Sequence, residues 1–327
     1  MKKRILVTGG AGMIGSNLCA KLLKEGHEVV AIDNLWRGKL KNLKEVCGDN
    51  YHKLKFYKAD LSKSGEWTSL FNNIDCVYHL ADVVAGIGFV FNNESYIFNE
   101  NLLINSNVEK VVREKSIPRY IYVGTACSFP KELQHGVEAK PLEECDQFPA
   151  DPESSYGWSK LMGELGAKFI SKSSKTDSVV LVFHNVYGSP CDYSSETSQV
   201  IPSLIRRALE KKEGEFVVWG DGSQGRAFVH ISDVVKALYK ALFKGENCGP
   251  IQIGPDTCTS IKELAEIINN DFGNAFEIVF DKSKPSGDKG RCANYSKAKS
   301  ILNWEPEKKL EKGISDLIDW IKKDLKK

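Results

Sequence analysis

The stretch RILVTGGAGMIGSNLCAKLL, residues 4–23, decides the fold. An apolar, β-branched run breaks at glycines, and a helical period follows at once. Gly9, Gly12 and Gly15 stand in the spacing G-x-x-G-x-x-G. A pyrophosphate needs this succession: a tight turn, a backbone it can approach closely, and unpaired N–H groups at a helix N-terminus. Glycines alone say little. The strand before them, the helix after them, and the acid that ends EVVAIDN (residues 28–34) about twenty residues on make the pattern specific for a dinucleotide. Asp33 is placed to accept from both hydroxyls of an adenosine ribose and would repel a 2′-phosphate, so the expected cofactor is NAD rather than NADP. Arg37 is the nearby residue that could reverse that choice. Met13, Ile14 and Asn34 flank these positions and are expected in the same site.

Working outward, apolar runs at residues 54–60, 75–81, 119–125 and 178–185 alternate with helical patterns such as INSNVEKVVREKS (104–116). The runs are apolar throughout, as in parallel strands covered on both faces. The expected fold class is therefore α/β: a Rossmann-type doubly wound parallel sheet over residues 1–180. After about residue 185, loops rich in Ser, Gly and Asp separate helices at 198–212, 231–245 and 260–272 and a strand at 215–220. This predicts a smaller C-terminal α/β substrate lobe over 181–327, with some elements crossing back. Ser260 and Glu263 form a Ser-x-x-Glu capping pattern, and Ser232 or Asp233 is expected near the start of the 231–245 helix. In open α/β sheets ligands sit at the carboxyl ends of strands. Asp60 and Leu61 are placed there to hold adenine, and Leu80 and Ala81 to let the cofactor lie close.

Composition narrows the class. The chain has 327 residues, 42% hydrophobic and 27% charged, with a formal charge of +2. Nothing in that balance forces a face toward nucleic acid or a membrane, and no stretch approaches the ~20 apolar residues of a membrane-spanning helix. The lysine-rich WIKKDLKK reads as an exposed helix end. Nine cysteines without a CxxC pair argue against a disulfide framework or a zinc site and fit a reducing cytosol. The opening MKKRILVTGGAG has too short an apolar run for a signal peptide. The expectation is a cytoplasmic protein with no metal.

Two further stretches carry chemistry. SSYGWSKLMGE (154–164) holds Tyr156 and Lys160, which share one helix face. An ammonium beside the phenol favours phenolate, and the lysine can also hold the nicotinamide ribose. Such a tyrosine can take a proton from a substrate hydroxyl while hydride leaves to NAD. VGTACSFP (123–130) places Thr125 and Cys127 where a strand breaks into a loop.

TGGAGMIG, HLAD, GTACSFP, YGWSK, FHNVYG, GDGSQGRAFVHISDV and LNWEP, in that order, resemble the extended short-chain dehydrogenases/reductases that act on nucleotide sugars, over nearly the whole chain. Within them the chain is most similar to the GDP-mannose 3,5-epimerases and GDP-fucose synthases, which carry Ser-x-Cys at the GTACSFP position. The resemblance implies that Thr125 shares the hydrogen bond to the sugar C4 oxygen with Tyr156, and that Cys127 is an acid/base at the sugar ring. A thiol suits that work because its pKa lies near neutrality and is tunable. Asn101 matches an asparagine near the active site, placed either at the cofactor or as a structural amide. Asn185 would meet the diphosphate, and Arg226 and Arg291 would clasp it as donor forks. The helix that begins VIPSLIRRA aligns with one preceded in these enzymes by a second acid/base, His or Lys. Here that position is Gln199, beside Val200, and glutamine cannot transfer protons usefully. Ser198 and Glu196 are neighbours but no obvious substitutes, and His184 and His230 read as structural. The implied function is an NAD-dependent epimerase of a nucleotide-diphosphate sugar, GDP-linked by resemblance, working through a transient 4-keto intermediate. The alternatives are a net C4 dehydrogenase or 4-keto reductase, and a non-catalytic dinucleotide sensor. Relatives pair through two helices of the first domain, which implies a homodimer.

Overall fold

The structure, a computed structural model, describes residues 1–194, 197–211, 214–284 and 289–326. The first half alternates β1 (Arg4–Thr8), α1 (Met13–Lys24), β2 (Glu28–Asp33), α2 (Leu40–Cys47), β3 (Lys55–Lys58), β4 (Cys76–His79), α3 (Ile87–Asn92), α4 (Glu94–Glu114), β5 (Arg119–Thr125), α5 (Ser155–Ser173) and β6 (Asp177–Phe183). The second half adds β7 (Asn185–Tyr187), α6 (Val200–Lys211), β8 (Gly214–Trp219), β9 (Gly225–Arg226), β10 (Phe228–His230), α7 (Ile231–Ala241), β11 (Pro250–Ile253), β12 (Thr259–Ser260), α8 (Ile261–Asp271), β13 (Phe276–Asp281), β14 (Gly290–Arg291), α9 (Ser296–Leu302) and α10 (Leu310–Asp324).

Seven strands form one parallel sheet in the order β11-β6-β5-β4-β1-β2-β3. The order reverses between β1 and β4, which opens a crevice at their carboxyl ends. Ile5, Leu6 and Val7 have no exposed surface, because α1 and α7 cover one face of the sheet and α4 and α5 the other. Each such side chain contributes about 1.5–3 kcal/mol by leaving water. The outermost strand, β11, comes from residue 250 onward and pairs with β6, while α7 packs on α1. Elements of the second half thus complete the first. A separate apolar cluster joins α6, α8 and α10 to β8 and β13 and forms the lobe.

Ser260 Oγ accepts from Glu263 N at 2.9 Å and caps α8. Ser232 and Asp233 both stand in the first turn of α7, and the ring of His230 caps that helix by accepting from Ser232 N at 3.2 Å. The Asp233 carboxylate instead holds Glu307 N and Lys308 N at 2.9 and 2.8 Å, and Asp233 O accepts from the Trp304 indole. That explains the LNWEP segment as a staple between α7 and α10. Among the described residues no helix is long and apolar enough to cross a membrane, and no cluster of His, Cys, Asp and Glu could hold a metal ion.

Candidate active site

A cavity of about 1010 Å³ lies over the carboxyl ends of β1, β2, β4 and β5 and runs under α6 of the lobe. At its β1 end the turn is as tight as the spacing demands. Gly9 has φ +67°, and a Cβ there would stand 3.0 Å from the backbone of Leu80 and Ala81. A Cβ on Gly15 would stand 2.1 Å from Gly9 O. Gly12 begins α1 without a side-chain cap, and no acid sits in the first turn, so the N-terminus is open to an anion. Gly9, Gly12, Met13, Ile14 and Gly15 all line the cavity.

Asp33 fixes the turn from below. Its Oδ2 accepts from Ala11 N at 2.9 Å and its Oδ1 from Leu35 N at 2.7 Å. Burial raises its pKa, and the two N–H donors partly offset that. Each carboxylate oxygen keeps a lone pair for a ribose hydroxyl. Asn34, Asp60, Leu61, Leu80 and Ala81 line the same end. Asp60 accepts from Ser62 N and Oγ, and so shapes its own loop. Arg37 also lines the cavity but is engaged elsewhere: Nη1 donates to Val84 O at 3.0 Å, and Nε lies 3.8 Å from Asp192. An open helix N-terminus, a backbone that only glycine allows and a carboxylate at the ribose position fit an adenine dinucleotide without a 2′-phosphate.

The β4 end is set by a buried chain of polar groups. Thr8 Oγ1 accepts from Leu80 N and Ala81 N, both at 3.1 Å, and donates to His79 Nδ1 at 2.8 Å. His79 Nε2–H then donates to Asn105 Oδ1 at 3.1 Å. Burial, with the nearby Lys160 charge, holds this ring neutral down to about 3. Asn101 does not line the cavity, which corrects its placement at the cofactor. Its amide is consumed by Val83 N, Val83 O and Ser159 Oγ at 2.6, 3.2 and 3.2 Å, so it braces the cavity wall.

Thr125, Cys127, Tyr156 and Lys160 meet where β5 ends and α5 begins, all on the cavity wall. Thr125 Oγ1 accepts from Cys127 N at 3.2 Å, and its hydroxyl also hydrogen-bonds the thiol. Arg291 Nη2 lies 3.5 Å from Cys127 Sγ. Burial pushes the thiol up, but the Arg291 charge and hydrogen bond, Thr125 and Arg226 together bring it below the ordinary value. The phenol of Tyr156 goes the other way from the expectation. Burial, then the Asp82 carboxylate, holds it well above 10. The reason is geometric: Lys160 Nζ is paired with Asp82 Oδ2 at 3.2 Å, and Tyr156 Oη donates to the same oxygen at 3.2 Å. Asp82 was missed by sequence reasoning. Its one local signal is an acid directly after an apolar strand end.

At the lobe end, Asn185, Gln199, Val200, Arg226 and Arg291 line the cavity. β9 and β14 pair in parallel with Arg226 opposite Arg291, so the two guanidinium side chains rise side by side. Burial and the Arg291 charge lower Arg226 to about 10. Two adjacent guanidiniums suit a diphosphate. Gln199 O caps α6 by accepting from Ser203 N at 3.0 Å. Glu196 lies outside the described residues. His184 is buried, its Nε2 on Gln252 Oε1 at 3.0 Å, and burial holds it neutral down to about 4. Trp219, also missed, lines the cavity with Arg207 stacked 4.7 Å from its ring centre.

Comparisons with known proteins agree with this layout. Residues 5–254 match the description "NAD dependent epimerase/dehydratase family". GDP-mannose 3,5-epimerase 1 of Oryza sativa subsp. indica is 32% identical over 328 residues, spanning 100% of this chain and 83% of that protein. The crystal structure of UDP-glucose 4-epimerase from Thermotoga maritima with UDP-glucose superposes with a TM-score of 0.87 at 27% identity, covering 98% of this chain and 99% of that one. UDP-glucuronic acid 4-epimerase from Bacillus cereus, solved with UDP-glucuronic acid and NAD, superposes with a TM-score of 0.82 at 26% identity over 98% and 99%. A tight glycine turn at an uncapped helix N-terminus, a Tyr–Lys pair at the crevice and a match across more than two thirds of the sequence lead to one conclusion: the chain belongs to the NAD-dependent epimerase/dehydratase family.

Proposed function

We propose that the protein is a nucleotide-sugar epimerase that works by transient oxidation at sugar C4. The observation that carries this is the convergence of Thr125, Cys127, Tyr156 and Lys160 on one cavity wall, with Arg291 3.5 Å from the Cys127 sulfur. NAD, held by the Gly9–Gly12–Gly15 turn and Asp33, supplies reversible hydride acceptance when bound. Tyr156 takes the C4 hydroxyl proton, and Thr125 donates to the C4 oxygen. A 4-keto sugar has acidic protons at C3 and C5. Cys127, held toward thiolate by Arg291, exchanges one of them. Arg226 and Arg291 clasp the diphosphate, Asn185 meets it, and the exposed face of Trp219 meets the nucleobase. Residues 1–180 carry the cofactor and 181–327 the sugar nucleotide. The GDP-mannose epimerase relative favours a GDP-sugar. Gln199 favours change at a single centre, and it is also the observation behind a second reading, inversion at C4 alone, which needs no ring base. We further propose a cytoplasmic homodimer through α4 and α5, whose Tyr96, Leu103 and Phe169 are exposed at 45, 48 and 58%. Light scattering should then give twice the chain mass.

The test is incubation with GDP- and UDP-sugars in D₂O, read by NMR and by absorbance at 340 nm. Deuterium at C3 or C5 without net NADH is expected. Product inverted at C4 without deuterium selects the second reading. Net NADH overturns both in favour of a dehydrogenase.

A further inference from the structure

Asp82, on the cavity wall beside Tyr156 and Lys160, is a carboxylate that the proposed mechanism does not use. Asp82 Oδ2 accepts from Tyr156 Oη and pairs with Lys160 Nζ, each at 3.2 Å. Lys160 is 2% exposed and Asp82 14%. Taking an ammonium this far from water is costly unless one anion stands beside it. In a plain Tyr–Lys pair, phenolate is that anion. Here the position is filled by Asp82, so a phenolate would be a second negative charge at the same ammonium. The other groups around the pair do not restore the balance. Tyr122 on β5 offers Lys160 only a ring face, 4.8 Å away, and its hydroxyl donates to Lys160 O. His79 on β4 is neutral. Cys127 after β5 is drawn toward thiolate by Arg291, and the Glu164 carboxyl on α5 is lifted by burial to about 7, so neither supplies a positive charge.

We infer that Asp82 is a positioning residue for proton transfer: it keeps Tyr156 a neutral phenol and accepts that phenol's proton as the substrate hydroxyl gives up its own. The two shifts balance. The substrate O–H bond breaks as Tyr156 Oη–H forms, and the old Tyr156 O–H breaks as Asp82 Oδ2–H forms. Both reverse when the sugar is reduced, so Tyr156 stays uncharged throughout. Lys160 stabilises the carboxylate before the shift and holds the cofactor ribose side of the cavity.

The inference rests on the proposed chemistry for its meaning, but its test does not. The phenol of Tyr156 is titrated by ultraviolet difference spectroscopy on the intact protein, with the Tyr156→Phe spectrum subtracted. In Asp82→Asn, Lys160 is left as the dominant charge, and the phenol should fall by about one pH unit or more, giving a tyrosine step at lower pH than in the parent. Asp82→Ser should show the same step. With the sugar nucleotide that the protein turns over, Asp82→Asn should slow the NAD-linked step at neutral pH by about tenfold to a hundredfold, with the residual rate climbing as the phenol ionises. A Tyr156 titration that stays in place or moves up, or a pH–rate profile identical with the parent's, overturns the inference. A step that appears while no nucleotide sugar is ever turned over leaves the role of Asp82 standing and removes the epimerase reading instead.

Discussion

Cys127 owes its chemistry to a neighbour 164 residues away in sequence, the guanidinium of Arg291. Burial works against a thiolate, and Cys19, Cys47 and Cys76 show the consequence: burial is the largest influence on all three and holds them above the ordinary thiol range, Cys76 despite the charges of Arg119 and Lys3. Arg291→Gln removes the charge and keeps a polar side chain. The Cys127 thiol should rise, and its thiolate fraction at neutral pH should drop by about tenfold for each unit of that rise. Iodoacetamide labelling of Cys127, followed by peptide mapping across pH, reads this directly, and the labelling of Cys145 on the surface should not change. Equal labelling of Cys127 in both proteins would mean that Arg291 does not tune it. The same logic limits what Gln199 can do: an amide is neither a useful acid nor a useful base near neutral pH, so in the proposed mechanism Cys127 works at the ring without it.

At the level of elements, the β1–α1 turn separates two uses of glycine. A Cβ on Gly15 would collide with Gly9 O at 2.1 Å, whereas one on Gly12 would meet Gly9 O at 3.4 Å, an ordinary contact. Gly15→Ala should therefore lower the thermal midpoint and weaken NAD binding together. Gly12→Ala should leave the midpoint within a degree or two and weaken NAD binding alone, by tenfold or more (about 1.4 kcal/mol). Loss of stability in Gly12→Ala, or none in Gly15→Ala, would reverse the assignment. This turn was legible in the sequence because every part of it is local, and so were the six strands through β6, although β3 departs from the expected continuous apolar run: it is the edge strand, and its lysines face water. Less local features were not. α4 begins at Glu94, ten residues before the period that betrays it, because ESYIFNEN is poor in helix formers. That segment is helical because Ile97 is buried against the sheet and the Asn101 amide is spent on Val83. β11 joins the sheet only by pairing with β6, about seventy residues earlier. Asp82 gains its meaning from Tyr156, 74 residues on. No window of sequence contains either partner.

For the whole molecule, four buried groups with large shifts pull the pH dependence of stability in opposite directions. Burial lifts Glu109 from 4.5 to about 8 and Glu164 from 4.5 to about 7, the latter despite hydrogen bonds from Gln147 and Ser128. Among the described residues Glu109 Oε1 has no hydrogen-bond partner. These carboxyls stay protonated in the fold while the unfolded chain has already lost the protons, so the stability they contribute is complete below 4.5 and is lost as pH rises through 7 and 8. His79 and His184 run the opposite way. Burial holds them neutral to about 3 and about 4, against 6.5 in the unfolded chain. Their contribution is complete above 6.5 and is lost as pH falls toward 4 and 3. Between 4.5 and 6.5 the unfolded chain has two more protons on these histidines and two fewer on these carboxyls, so the slopes cancel. Above 6.5 only the carboxyls remain, each worth about 1.4 kcal/mol per pH unit at most. The thermal midpoint should thus be nearly level from pH 5 to 6.5 and fall from 6.5 to 8. Glu109→Gln, which is neutral at every pH, should match the parent near pH 5 and exceed it at pH 8, cutting the alkaline decline by roughly half. A parent midpoint that holds level or rises toward pH 8, or a Glu109→Gln curve that runs parallel to it, would show that the charge on this carboxyl is not held out of the fold.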